Sequence, residues 1–159
     1  MENHPQIITV GWREWLSLPE LGIDQIKAKV DTGARTSCLH AHRLELFTER
    51  GSPWVRISVE PVGKNGELWV RFGVHPNQQD TETEIWCEAR VKDERNVTDS
   101  GGHTEKRYVI ETPLSVGGHS WPIEITLTNR DTMLFRMLLG RTAMTTGNIL
   151  VNPALSYQA

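Results

Sequence analysis

An aspartate that follows directly on a short strand is the clearest chemical signal in this sequence. Apolar residues at 26, 28 and 30 alternate with two lysines, a period of two that is typical of a half-buried strand. The strand leads into Asp31-Thr32-Gly33-Ala34. A carboxylate held in such a turn can accept or donate a proton, and Gly33 lets the backbone approach closely. Taken alone the motif is weak, because Asp and Gly are also common in ordinary turns.

A second segment, more than one hundred residues later, adds to this signal. Met137-Leu138-Leu139 is a short apolar run that ends at Gly140-Arg141. The residues that follow, 142–146, predict one or two turns of helix. The two segments share a layout, since each places an apolar strand before its polar turn.

The rest of the chain is predicted to consist of short strands separated by turns. Long helical periodicity is scarce, and Gly and Pro interrupt the sequence often. Asn65-Gly66 and Gly117-Gly118 predict hairpin turns. The pattern predicts an all-β fold, closed or sandwich-like, in a single domain over residues 1–159 with one short C-terminal helix. The further predicted strands are 7–10, 54–59, 68–72, 85–91, 108–110, 121–127 and 149–151.

The combination resembles the retropepsins, whose Asp-Thr-Gly-Ala loop is paired with a distal hydrophobic-hydrophobic-Gly-Arg segment leading into a short helix. More specifically, it resembles a bacterial family once labelled putative ATP-dependent zinc proteases and since regarded as retropepsin-like aspartic endopeptidases. Some members are associated with ATP-grasp enzymes that add glutamate to a ribosomal protein, which implies a functional link to such a glutamate ligase. The residues that carry the resemblance are 11–14, 30–41, 112–114, 121–124 and 134–142.

The resemblance implies a closed retropepsin-like β-barrel that hydrolyses peptide or amide bonds in a peptide or protein substrate. It makes Asp31 the catalytic residue and places Thr32, Gly33 and Ala34 in the active-site loop. A glycine-rich hairpin flap covers retropepsin sites, and the candidates here are Gly101 and Gly102. The residues expected to support the site are Arg35, His40, Leu139, Gly140 and Arg141.

Aspartic proteases use two carboxylates that share one proton, because two like charges so close cannot both ionise. The ionised carboxylate activates water, and the protonated one donates to the developing oxyanion. This chain contains one Asp-Thr-Gly. The second Asp31 is therefore expected from a second subunit in a homodimer related by a two-fold axis.

The sequence departs from the retropepsin pattern at position 35. Retropepsins commonly carry an acid four residues after the catalytic Asp, where it partners the Arg of the distal motif. Arg35 occupies that position here, so Arg141 lacks its usual local partner. This predicts a dimer that is weak or that forms only with substrate or a partner. Arg35 and Arg141 could also bind a carboxylate, such as an acidic substrate tail, or form ion pairs within the chain.

Two alternatives stay open at this stage. His40 and His42 lie two residues apart and could share zinc with Cys38, although no His-Glu-x-x-His motif is present and we expect no metal. We also expect no cofactor, since no Walker-type phosphate loop appears. The other alternative is a non-catalytic module that binds peptides in the same groove, although a pure binder has no need for Asp31.

Composition and charge indicate which partners and which location to expect. The 159 residues carry a net charge of -3, and the basic residues are dispersed, so no nucleic-acid partner is expected. No apolar run approaches the roughly 20 residues of a membrane helix. The first ten residues lack the layout of a signal peptide, which favours a cytoplasmic location. Cys38 and Cys87 are expected to be buried thiols rather than a disulfide framework.

Overall fold

The computed structural model describes residues 7–47, 68–77, 82–98, 101–128 and 135–159. The predicted strand at 54–59 and the Asn65-Gly66 hairpin lie outside these residues. A 3₁₀ helix covers Pro19–Leu21. The described strands and the single α-helix are β1 Ile8–Val10, β2 Arg13–Leu18, β3 Ile23–Val30, β4 Ser37–His40, β5 His42–Phe47, β6 Trp69–Val74, β7 Ile85–Thr98, β8 Thr104–Val116, β9 His119–Thr128, β10 Met137–Leu139, α1 Arg141–Thr146 and β11 Ile149–Val151.

Six strands form a ring around the apolar interior. The main sheet has the order β2-β3-β10-β4-β9-β8-β7-β6-β5, and an additional pairing between β2 and β8 closes its first six strands. The closing contact joins Ser17 to Ser115. Outside this ring, β7, β6 and β5 extend the sheet, and β1 pairs with β11 in a separate two-stranded parallel sheet. The prediction of an all-β, closed fold with one short helix is confirmed for the residues that the structure describes.

Strand β3 shows why the chain closes in this way. Ile23, Ile26 and Ala28 are fully buried, whereas Asp24 and Gln25 are exposed. Because successive side chains of a strand point to opposite faces, the apolar set lies on the interior side of the ring. Burial of the apolar set stabilises the ring and leaves the carboxyl end of β3, where Asp31 follows, at the edge of the core.

The polar stretch 92–106 belongs to a long hairpin. Strands β7 and β8 continue through it as the two arms of one antiparallel hairpin, paired from Val91–Ile110 to Thr98–Thr104. Gly102 in the connecting turn has φ +86°, a left-handed conformation that glycine adopts without steric cost. Strand β8 also continues through Pro113, which faces Pro122 of β9. Among the described residues, no helix is long and apolar enough to cross a membrane.

Candidate active site

The Asp31 loop begins where β3 leaves the ring. The Asp31 side chain is partly buried, whereas Thr32 and Gly33 are exposed. The backbone N–H of Gly33 donates a hydrogen bond to Oδ1 of Asp31 at 3.0 Å. The N–H of Ala34 donates to the carbonyl of Asp31 at 3.2 Å and closes the turn. The carboxylate is thus oriented by its own turn, and its outer side is left accessible.

The distal segment 139–142 anchors this loop through its backbone. The N–H of Asp31 donates to the carbonyl of Leu139 at 2.9 Å. In the opposite direction, the N–H groups of Arg141 and Thr142 donate to the carbonyls of Ala34 and Arg35, at 2.8 and 3.0 Å. These contacts follow from the sheet order, since β10 lies between β3 and β4 and pairs with both. The structure therefore brings together the two segments that the sequence singled out.

Gly140 and Arg141 make two further contacts that hold the loop. The N–H of Gly140 donates to Oγ of the buried Ser37 at 2.9 Å. A Cβ at position 140 would lie 2.5 Å from the carbonyl carbon of Thr36, so the segments approach too closely for any residue but glycine. The Arg141 guanidinium donates to the carbonyl of Thr32 at 3.1 Å. No acid within the described ranges forms an ion pair with Arg141, so this carbonyl replaces the carboxylate partner that retropepsins supply.

A groove of about 990 Å³ opens beside the loop. Gly33, Ala34 and Arg35 line one side, and the 95–98 part of β7 lines another. Glu124 also faces the groove, and its pKa is lowered by hydrogen bonds from Lys92 and Arg95, at 2.8 and 3.0 Å. The groove is large enough for several residues of an extended peptide and combines apolar with charged walls.

The flap candidates Gly101 and Gly102 lie in the turn between β7 and β8. Hydroxyl groups of Thr98 and Thr104 hydrogen-bond across the hairpin next to this turn, at 2.8 Å. One arm of the same hairpin lines the groove. His40 has a different setting, because it is buried in β4 opposite Thr128 and is not among the residues that line the groove.

Glu14 is a buried acid whose role the sequence did not reveal. Its side chain is fully buried and accepts three backbone hydrogen bonds, from Gly11, Gln158 and Ala159, at 2.7, 2.6 and 3.0 Å. Nearby, the N–H of Val30 donates to the carbonyl of Trp12 at 2.8 Å. Glu14 thus fastens the chain end against β2, the strand that supports β3 just before Asp31.

The structure groups the histidines differently from the Cys38, His40 and His42 set that the sequence suggested for zinc. Both cysteines are buried thiols outside any disulfide, as predicted. Arg107 donates a hydrogen bond to Sγ of Cys38 at 3.7 Å. Burial raises the pKa of the Cys87 thiol to about 12, so this thiol is inert near neutral pH. His42 is grouped with His75 and Glu84, two residues that local spacing did not connect with it.

Comparison of this chain with models of known protein families identifies one match. A family model described as retropepsin-like aspartic endopeptidase RimB matches residues 9–63 and 58–159. The chain belongs to the RimB-like family. The family predicted from the Asp31 and Gly140 motifs is therefore confirmed, and nearly the whole chain contributes to the match.

Similar proteins extend the comparison. A Shewanella halifaxensis protein named probable alpha-L-glutamate ligase is 44% identical over 148 residues, which are 93% of this chain and 29% of that protein. A Parasynechococcus marenigrum protein with the same name is 46% identical over 151 residues, 95% of this chain and 29% of its own length. The chain thus spans about 29% of these relatives. A crystal structure of a Legionella pneumophila protein of unknown function has a TM-score of 0.71 and 25% identity, covering 95% of this chain and 97% of that one.

Proposed function

We propose that this RimB-like chain is an aspartic endopeptidase whose catalytic dyad forms when two copies bring their Asp31 carboxylates together. The observation that carries the proposal is the Asp31 loop. Its carboxylate is oriented by Gly33, its backbone is anchored by residues 139–142, and it stands beside a peptide-sized groove. One Asp31 activates water and its counterpart donates a proton to the oxyanion. We further propose that residues 1–159 form one domain, that it acts in the cytoplasm, and that the dyad needs no cofactor.

The other acids near the groove are poor candidates for the second member of the dyad. Glu124 is paired with Lys92 and Arg95. Asp93 pairs with Arg95 at 3.0 Å, and Glu94 with Lys106 at 3.5 Å. Glu124, held between two cations that lower its pKa, stays ionised and cannot share a proton with Asp31. A second copy of Asp31 supplies the missing group without this conflict.

The exposed face of the loop favours such a dimer. Thr32 and Gly33 are exposed although their backbone is firmly anchored from the inside. In a two-fold dimer this face meets its own copy, so each loop covers the other and shields the dyad and its nucleophilic water from bulk solvent. The Arg141 guanidinium donates to the carbonyl of Thr32 and not to a carboxylate. The interface therefore lacks the acid–arginine ion pair of retropepsins, and we expect a weak dimer.

Arg35 points to the class of substrate. It lines the groove, it is exposed, and it forms no ion pair with an acid of the described segments. A guanidinium in this position would bind a carboxylate of the substrate. The relatives named probable alpha-L-glutamate ligase suggest a source, a peptide extended with glutamate by a ligase to which this chain is functionally linked. We therefore expect glutamate-rich peptides to be cleaved in preference to their glutamine analogues.

A mixing experiment tests the shared dyad. Wild-type chain at fixed concentration is titrated with the Asp31→Asn variant, and the cleavage rate of a glutamate-rich peptide is followed. Mixed dimers contain one carboxylate, so excess variant is expected to suppress the wild-type rate. The Asp24→Asn variant, changed at an exposed acid of β3, is the matched control and should not suppress it.

A dilution series completes the test. Specific activity is expected to rise with protein concentration until the dimer saturates, with sedimentation measuring the subunit count at each point. Constant specific activity in a proven monomer would reject the homodimer dyad. Binding of the peptide without any cleavage would instead support a non-catalytic binding module.

A further inference from the structure

Three side chains meet at the edge of the sheet formed by β5, β6 and β7. His42 begins β5, His75 follows β6, and Glu84 precedes β7; we call these three the histidine cluster. One ligand-type atom from each lies within 4.8 Å of the other two. Nε2 of His42 is hydrogen-bonded to Oε2 of Glu84. The rings of His42 and His75 are stacked, with centroids 4.2 Å apart and an interplanar angle of 10°.

The surroundings orient these groups toward one another. Nδ1 of His75 lies 3.1 Å from the carbonyl oxygen of Thr83, which leaves Nε2 as the ring nitrogen available to a ligand. A backbone carbonyl holding the second ring nitrogen is the usual support of a metal-binding histidine. Nδ1 of His42 is buried and finds no hydrogen-bond partner within the described residues. Within the described residues, this imidazole is therefore hydrogen-bonded through Nε2 alone.

Gly73 keeps space open directly beside the cluster. It faces His42 in the register of β5 and β6. A Cβ at this position would lie 2.7 Å from Nε2 of His42 and 3.2 Å from Oε2 of Glu84. Glycine weakens a strand interior, and it commonly marks a place where another group approaches closely. Here the position borders both donor atoms of the His42–Glu84 pair, the ring nitrogen and the carboxylate oxygen.

We propose that His42, His75 and Glu84 form a binding site for a divalent transition metal ion of the zinc type. Two imidazoles and one carboxylate are a donor set that zinc accepts, with a fourth position left for water. In tetrahedral coordination, zinc–ligand bonds of about 2.1 Å place the donor atoms roughly 3.4 Å from one another. The cluster reaches this spacing when the ion displaces the proton between His42 and Glu84 and draws His75 inward. Harder ions such as Mg²⁺ prefer oxygen ligands and are disfavoured.

The site is distinct from the Asp31 loop. Ser37 at the start of β4 contacts Gly140 beside the loop, whereas His42 lies beyond the opposite end of β4. An ion at the cluster would join the start of β5 to both ends of the β6–β7 connection. Its role is therefore to fasten the sheet edge rather than to activate water for the Asp31 dyad. The ligands also differ from the His40, His42 and Cys38 set suggested by local spacing.

Calorimetric titration of chelator-treated protein with Zn²⁺ tests the proposal. The expected result is one ion per chain, with Co²⁺ at the same site giving the visible absorption of a tetrahedral complex. His75→Ala should weaken binding at least tenfold, and Glu84→Ala similarly, because each removes a ligand. The matched control His119→Ala, a histidine of β9 outside the cluster, should bind as wild type does.

Two further measurements separate metal binding from folding. Gly73→Ala retains every ligand and should still weaken binding, because the added methyl group crowds Nε2 of His42. Zn²⁺ should raise the melting temperature of wild type and Asp31→Asn alike, but not that of Glu84→Ala. Circular dichroism confirms that each variant is folded. No binding at millimolar Zn²⁺, or equal affinity in wild type and folded His75→Ala, would overturn the proposal.

Discussion

The Asp31 loop and the histidine cluster are both polar sites at strand ends, yet they are held together in opposite ways. The loop is fixed mainly by backbone groups, including the hydrogen bonds of Asp31, Arg141 and Thr142 to carbonyls of the facing segment. The cluster is fixed mainly by side chains, through the His42–Glu84 hydrogen bond and the stacked rings. Backbone anchoring orients one carboxylate very firmly, but it supplies no second one.

This difference separates what one chain can complete from what it cannot. All three donors of the histidine cluster come from the same chain, so its ligand set needs no partner. The Asp31 loop is exposed and anchored by backbone hydrogen bonds, and the proposed aspartic protease chemistry requires a second carboxylate. A substitution in the loop should therefore affect catalysis or assembly, whereas a substitution in the cluster should affect local stability and metal binding.

The largest expected effect comes from Asp31→Asn. The amide can neither accept the proton of water nor share one with a second carboxylate, so peptide cleavage should fall on the order of 10³-fold or more. The fold should persist, because the contacts between the loop and residues 139–142 are made by backbone groups, and Oδ1 of the asparagine can still accept from the Gly33 N–H. Steady-state cleavage assays beside thermal melts measure both quantities. A variant as active as wild type would exclude Asp31 as the catalytic acid.

Gly140→Ala should be the most damaging change to the loop's support. The added methyl group would lie 2.5 Å from the Thr36 carbonyl carbon and 2.7 Å from the Ser37 nitrogen. Forcing these segments apart should lower the free energy of unfolding by about 2–3 kcal/mol, measured by urea denaturation. Gly118→Ala is the control, since open space surrounds that position and only its positive φ opposes the change, at roughly 1 kcal/mol. Equal losses in the two variants would show that close packing at Gly140 contributes little.

Arg35→Gln should have a moderate and substrate-dependent effect. If Arg35 binds a substrate carboxylate at the exposed mouth of the groove, kcat/KM for a glutamate-rich peptide should fall about fivefold. The corresponding glutamine peptide should be cleaved at an unchanged rate, and the melting temperature should not move. An equal decrease for both peptides would mean that Arg35 supports the loop rather than selecting the substrate.

Glu84→Gln should have the smallest effect, and one that depends on pH. The pKa of Glu84 is lowered, first by its hydrogen bond with His42 and then by the charges of His42, Arg43 and His75. Because the pKa of Glu84 is lower in the folded state than in the unfolded state, the ionised carboxylate stabilises the fold at pH values above the unfolded pKa of 4.5. This stabilisation is lost as the pH falls through the folded-state pKa. The difference in unfolding free energy between wild type and variant should therefore be present at pH 6 and shrink below about pH 4.5. A difference that grows on acidification would contradict the assigned sign.

Local pattern was sufficient for the elements on which the Asp31 site depends. The alternation at 26–30, the apolar run at 137–139 and the Gly117-Gly118 turn all correspond to described strands or turns. Each of these signals resides in a few consecutive residues, where side-chain period and turn chemistry act directly. The outer part of the β7–β8 hairpin, residues 92–98 and 104–106, was harder to predict, because its side chains are exposed or half-buried and no buried apolar face marks it.

By itself, then, the sequence determined the family, the all-β class and the pairing of Asp31-Thr32-Gly33 with Gly140-Arg141. Only the tertiary structure decided which groups meet. It gave Arg141 the carbonyl of Thr32 as its partner, closed the ring between β2 and β8, and joined His42 to Glu84. These contacts join residues far apart in the chain. Their formation depends on strand order and register, which no short stretch of sequence encodes.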